Sequence, residues 1–150
     1  WTHIGDGVQF EDIKLYANEK LQNIDNISCK FMGQVDNKEL YKFYESSNID
    51  LFINTSESEG IPVSIMEAFS FGVPALALDV GAVGEIVNNN NGFLLKDNSS
   101  IIEISEVIMR YIETNKEIKY SMRKNAYETW KRNYNAEINY ITFTEKVLNL

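Results

Sequence analysis

The sequence predicts an α/β fold, a parallel sheet with flanking helices, followed by a helical C-terminal extension. Three observations predict it. Short apolar runs alternate with helix-periodic segments through the first two thirds of the chain. Two of those runs, Leu51-Phe52-Ile53 and Ala75-Leu76-Ala77-Leu78, are apolar at every position, as strands covered on both faces are. From Ser99 onward the pattern is helical only. Strands separated by helices pair through crossovers, which makes the sheet parallel and the connections right-handed.

The elements follow in order. Trp1 to Ile4 reads as a strand that stops at the turn Gly5-Asp6-Gly7. Residues 9–22 carry Ile13, Ala17 and Leu21 on one helix face. Ser28 to Met32 reads as a strand. Asp36 can cap the helix that places Leu40, Phe43 and Tyr44 on one side. Ile49 to Ile53 is a strand, Pro62 to Phe71 a helix, Ala75 to Leu78 a strand, and Phe93 to Leu95 a short one after an Asn-rich loop. In the tail, Ile101, Ile104, Ile108 and Tyr111 form one stripe. Tyr127, Trp130, Tyr134, Ile138 and Ile141 form a second, both read as core.

Composition bounds the function. A chain of 150 residues with 44% hydrophobic and 24% charged residues suits one globular domain. No apolar run approaches the ~20 residues of a membrane span, and no secretory signal pattern is legible. Cys29 is the single cysteine, so no internal disulfide forms; it is expected to be a buried, reduced thiol, which fits a cytoplasmic setting. The net charge of −8 argues against nucleic acid as a partner. Half of the 14 basic residues fall between Arg110 and Arg132. That stretch fits a weak membrane-surface or partner contact, or a plain solvated helix face, since Glu113, Glu117 and Glu128 are interspersed. His3 is the only histidine, a strand residue read as structural or exposed, and no metal site is legible.

The segment Ser56-Glu57-Ser58-Glu59-Gly60-Ile61-Pro62-Val63-Ser64-Ile65-Met66-Glu67-Ala68 follows a buried strand and opens a helix. In a parallel sheet that junction lies where ligands bind. Gly60 lets backbone approach a ligand, and Pro62 suits the first helical turn. The free amides of that turn, with the helix dipole, favour an anion such as a diphosphate. Glu59 and Glu67 bracket the point. Carboxylates beside a bound anion repel it and are better suited to accepting hydroxyls, one from a sugar and one from a ribose. On spacing alone an ordinary helix N-terminus, with Glu59 favoured by the dipole and Glu67 solvated, fits as well.

This stretch resembles the Glu-x7-Glu motif of family 4 glycosyltransferases, which have the GT-B fold. Ile4-Gly5-Asp6-Gly7, Phe31-Met32-Gly33-Gln34-Val35, Glu67-Ala68-Phe69-Ser70-Phe71-Gly72-Val73-Pro74, Asp79-Val80-Gly81 and Asn91-Gly92-Phe93-Leu94 follow the family's order. The similarity runs from Trp1 to about Leu95 and weakens through the tail. It implies a Rossmann-like donor-binding domain over residues 1–150. It also implies retaining transfer of a sugar from a nucleotide diphosphate sugar to a glycan, lipid or other acceptor, with no cofactor and no metal.

The resemblance implies roles as well. Glu59 would contact hydroxyls of the donor sugar, and Glu67 the ribose hydroxyls. The backbone of Gly60, Ile61, Pro62, Val63 and Ser64 would face the sugar and diphosphate. The Gly33-Gln34-Val35 turn would lie against the base. Gly5 and Gly7 would end the strand bordering the cleft, though a plain turn explains them equally; Asp79 and Gly81 read as turn-makers. Ile61 stands where the family often has Phe, and Ala82 where a second Gly is common. The family's first strand, its Gly-Arg motif, a Lys on the following helix and the acceptor domain have no counterpart in the sequence. The chain is therefore expected to be a donor-binding part, inactive alone, of a longer enzyme, which is expected to be cytoplasmic or to work at the cytoplasmic face of a membrane. The last helix, Asn135 to Leu150, would cross towards the acceptor domain. Its residues Ile138, Ile141, Phe143, Val147 and Leu148 are then expected to self-associate, shift or become mobile.

Two other classes compete. An oxidoreductase dinucleotide module would need Gly-x-Gly-x-x-Gly, and Gly5-Asp6-Gly7-Val8-Gln9-Phe10 lacks the third glycine. A nucleotide-binding or interaction module without glycosyl transfer is the second, separable by turnover.

Overall fold

Every strand pair among the described residues is parallel, so each strand hands the chain to a crossover before the next can pair. The computed structural model describes residues 1–148 and divides into two compact units, Trp1–Ser47 and the chain from Asn48 on. Periodicity predicts a single sheet. Hydrogen bonding instead gives a two-stranded sheet in the first unit and a three-stranded sheet in the second, because pairing depends on partners that a local pattern does not name.

In the first unit β1 (Thr2–His3) pairs with β2 (Lys30–Phe31). Between them runs α1 (Phe10–Leu21), and α2 (Asn37–Ser46) follows β2. Asp36 caps α2 as expected, its Oδ1 accepting from Glu39 N at 2.8 Å. Both strands are shorter than predicted. The unit is held by edge-on aromatic packing, Trp1 and Phe10 each meeting Phe31 at 5.3 and 6.0 Å between ring centroids. His3 packs in the same cluster, a structural role. Cys29 is only half-buried, contrary to expectation, because Ser28 and Lys30 on either side of it are exposed and no core closes over the strand.

In the second unit β3 (Phe52–Asn54), β4 (Ala75–Leu78) and β5 (Gly92–Leu95) lie in sequence order, joined by α3 (Val63–Ser70) and the short α4 (Val83–Ile86), which periodicity missed. β4 is buried at every position, matching its unbroken apolar sequence, whereas β3, read in the same way, is not covered on both faces: it is an edge strand, and Ile53 is 43% exposed. β3 begins at Phe52, three residues later than predicted. The carbonyls of Ile49 and Asp50 serve side chains instead of a ladder, accepting from Arg123 Nη1 at 2.6 Å and from the Tyr111 hydroxyl at 2.7 Å. Asn91 is fully buried and satisfied: its Nδ2 donates to Ile86 O and Thr129 Oγ1, and its Oδ1 accepts from Asn88 N.

The tail forms α5 (Ile101–Glu113), α6 (Lys116–Asn133) and α7 (Ala136–Leu148). Ser100 and Glu103 form a reciprocal capping box on α5. The packed row of α5 is Ile104, Val107, Ile108 and Tyr111, whereas Ile101, expected in the core, is 85% exposed in the first turn. α6 buries Met122 and Ala126 and brings Trp130 and Tyr134 onto the core, while Tyr127 faces outwards more than predicted. Ile138 and Ile141 are not core: α7 buries no side chain. Residues 149–150 of the helix expected to reach Leu150 lie outside the described residues. Among the described residues no helix is long and apolar enough to cross a membrane.

Candidate functional site

Because β3, β4 and β5 are parallel, the loops after β3 and β4 open on one edge, the carboxyl end of the sheet. Asn54, the last residue of β3, organises the first loop with both ends of its amide. Its Oδ1 accepts from Ser56 N at 2.8 Å, and its Nδ2 donates to Glu59 Oε1 at 3.2 Å. The loop after β4 closes on the same point. Gly81 has φ +55°, and a Cβ there would collide with the carbonyl oxygen of Glu59. Ala82 N donates to Gly60 O at 3.3 Å. Gly81 is therefore a turn-maker, as read from the sequence, and also the residue that lets the two loops touch. Asp79 lies against α4, where a Cβ on Gly84 would come within 2.9 Å of its Oδ1.

α3 starts one residue later than predicted. Pro62 is its N-cap, extended at ψ 112°, and Val63 is the first helical residue. Ile65, Ala68 and Phe69 are fully buried and fix the helix axis against the core. The amides of Gly60, Ile61, Val63 and Ser64 meet no protein acceptor among the described residues. Those of Val63 and Ser64 are the groups a helix N-terminus offers to an anion, and those of Gly60 and Ile61 belong to the loop just before it. Gly60 has open space where its Cβ would be, so nothing within the protein requires glycine there.

Glu67 lies one turn after Val63 and so on the face that carries Val63 and Ser64. It is half-buried, and loss of solvent pushes its carboxyl above the ordinary range. No protein donor among the described residues reaches its carboxylate. The alternative of a fully solvated Glu67 therefore does not hold. Glu59 is also half-buried, and one of its oxygens is engaged by Asn54.

The remaining predicted residues stand on the first unit. Gly5 N donates to Gly33 O at 2.8 Å, which joins the turns after β1 and β2. Both glycines take conformations that L side chains resist, φ +130° at Gly5 and +65° at Gly33. Gly7 N donates to Asp6 Oδ1 at 2.7 Å, a local turn. Val35 is half-buried just before the cap of α2. Among the described residues no three His, Cys, Asp or Glu side chains gather in a way that could hold a metal ion. The residue that sequence reasoning missed is Asn54. Its signal was present: an Asn ending a strand, two residues before an amide it can accept from.

Comparison with known proteins adds to this geometry. The family described as "Glycosyl transferases group 1" matches residues 3–129. The O-antigen biosynthesis glycosyltransferase WbnH of Escherichia coli is 35% identical over 94 residues, 63% of this chain and 24% of that protein. The uncharacterized glycosyltransferase MJ1069 of Methanocaldococcus jannaschii is 31% identical over 134 residues, 88% of this chain and 32% of its own length. The chain thus spans about a quarter to a third of these relatives. Among solved structures, Anabaena HepE in complex with UDP-glucose superposes with TM-score 0.75 over 99% of this chain and 40% of that one, at 23% identity. Sucrose-phosphate synthase from Thermosynechococcus elongatus gives TM-score 0.76 at 18% identity, covering 99% of this chain and 37% of that one. These likenesses bear on fold, which agrees with the α/β architecture, and the family match reaches from β1 well into α6: the chain belongs to the group 1 glycosyltransferases.

Proposed function

We propose that the β3–α3 junction binds the sugar and diphosphate of a nucleotide diphosphate sugar. In this reading the whole protein transfers that sugar, with retention at the anomeric carbon, to a glycan, lipid or other acceptor. The observation that carries it is the pairing of a positioned carboxylate with unsatisfied amides. Glu59 is held by Asn54 and backed by Gly81, beside a helix start whose amides have no protein acceptor. The amides and the dipole of α3 stabilise charge on the departing diphosphate. Glu59 accepts hydroxyls of the sugar and orients it. Glu67, one turn along the helix, accepts the two ribose hydroxyls. Two carboxylates with separate hydroxyl partners do not match the acid and nucleophile pair of glycoside hydrolases. The UDP-glucose bound by HepE is the kind of ligand this arrangement fits.

Calorimetric titration of the chain with a nucleoside diphosphate and with the corresponding sugar nucleotide tests the assignment. Glu67→Ala is expected to weaken both ligands by about 1–3 kcal/mol, and Glu59→Ala only the sugar nucleotide, by a similar amount. Unchanged affinities in both variants reject the assignment.

A further inference from the structure

The basic residues of the tail are not spread evenly. α6 holds six of the chain's 14 basic residues and two of its 22 acidic ones, which gives the helix +4 and leaves −12 for the rest of a chain of net charge −8. Lys116, Tyr120, Lys124, Tyr127 and Lys131 follow one another at spacings of four, four, three and four, a single row along the helix. The buried side of α6, Met122 and Ala126, faces elsewhere. All five members of the row are exposed, Tyr120 to 71%.

Charge and shape agree on what the row suits. The ion pairs formed among the described residues are Lys14–Glu11 and Lys20–Glu19, so none of the row's lysines is neutralised by a carboxylate. Arg123 beside the row is anchored to Ile49 O, and an open groove of about 390 Å³ runs between the row and the last turn of α3. Glu117 and Glu128 lie on the flank beyond Lys124. From Lys116 to Lys131 the row runs along about 22 Å of the helix, a line that meets a plane better than a pocket. Lysines alternating with tyrosines are the side chains that anionic headgroups attract and that settle at a headgroup boundary. The net +4 of the helix is drawn to such a surface.

We propose that the Lys–Tyr row of α6 is a docking face for an anionic lipid surface. Co-sedimentation of the full chain with vesicles of phosphatidylcholine, alone or mixed with phosphatidylglycerol, tests it. The chain partitions onto the mixed vesicles and not the neutral ones, and raised salt releases it. The triple variant Lys116→Gln, Lys124→Gln, Lys131→Gln loses at least about tenfold in partitioning, with its circular dichroism unchanged. Tyr120→Ser, at an exposed position, loses several-fold. Equal binding to both vesicle types, or none to the mixed ones, overturns the proposal. So does a Tyr120→Ser variant that binds like the parent while duplex DNA competes, since that marks a generic polyanion contact.

Discussion

The two units use the same local grammar, strand to turn to helix, and reach different degrees of internal support. In the first, Ala17 and Tyr44 are the buried hydrophobic side chains, and two-residue strands are held by ring packing and the Gly5–Gly33 bond. In the second, β4 and the inner face of α3 are buried in one core with α4 and α6. Candidate ligand residues occur on both. The difference is in how they are fixed. Glu59 is constrained from its own loop by Asn54 and from a second loop by Gly81, whereas the glycine turns of the first unit are constrained mainly by their own backbone preference. Site precision follows from enclosed supporting structure, not from the motif alone.

Hydrogen exchange gives the largest expected effect. Amides of β4 should require near-global unfolding, while those of β1 open locally, a gap on the order of 3 kcal/mol or more. α7, with no buried side chain, should exchange as readily as β1 in a dilute monomer. Equal protection of β1 and β4 would break the comparison, and strong protection of α7 would show that it belongs to a core.

Next in size is Gly81→Ala. A Cβ meets the Glu59 carbonyl at a backbone conformation alanine resists, so a loss of about 2–3 kcal/mol in stability is expected. Chemical denaturation reads it. Gly33→Ala, at a similar φ with open space around its Cβ, should cost only the backbone preference, about 1 kcal/mol. If the two cost the same, the contact between loops contributes nothing.

Asn54→Ala removes the hydrogen bond to Glu59 and the turn at Ser56. A loss of about 1 kcal/mol in sugar-nucleotide affinity is expected, with nucleoside diphosphate affinity little altered. Equal losses for both ligands would show that Asn54 supports the loop in general rather than Glu59.

The smallest effect concerns Glu67. Burial raises its carboxyl in the folded chain, so the ionised form is disfavoured there relative to the unfolded chain. That penalty is present at neutral pH and fades as pH falls through the raised folded value. Glu67→Gln should therefore stabilise the fold at neutral pH by no more than about 0.5 kcal/mol, since the half-buried group is still screened in part by solvent. The gain should vanish in acid. A thermal melting series across pH checks it, and a variant less stable at neutral pH would mean that the carboxylate is making a favourable contact.

The sequence alone determined the alternation of strands and helices, the cap at Asp36, the limits of β4 and, to within one residue, a helix start at Pro62. Each follows from spacing, propensity or a side chain acting within a few residues. It also carried the family, through short motifs in order. The tertiary structure decided what depends on distant partners. β3 starts late because Tyr111 and Arg123, 61 and 74 positions along the chain, take the carbonyls that would have extended it. The stripe on α5 loses Ile101 and gains Val107, and α7 lies outside the core, because periodicity marks an apolar face without saying whether anything covers it. Glu59 was legible as a carboxylate at a helix start. That it is held from both sides was not, because the collision that excludes a side chain at Gly81 comes from a loop 22 residues earlier, brought near only by the parallel register of β3 and β4.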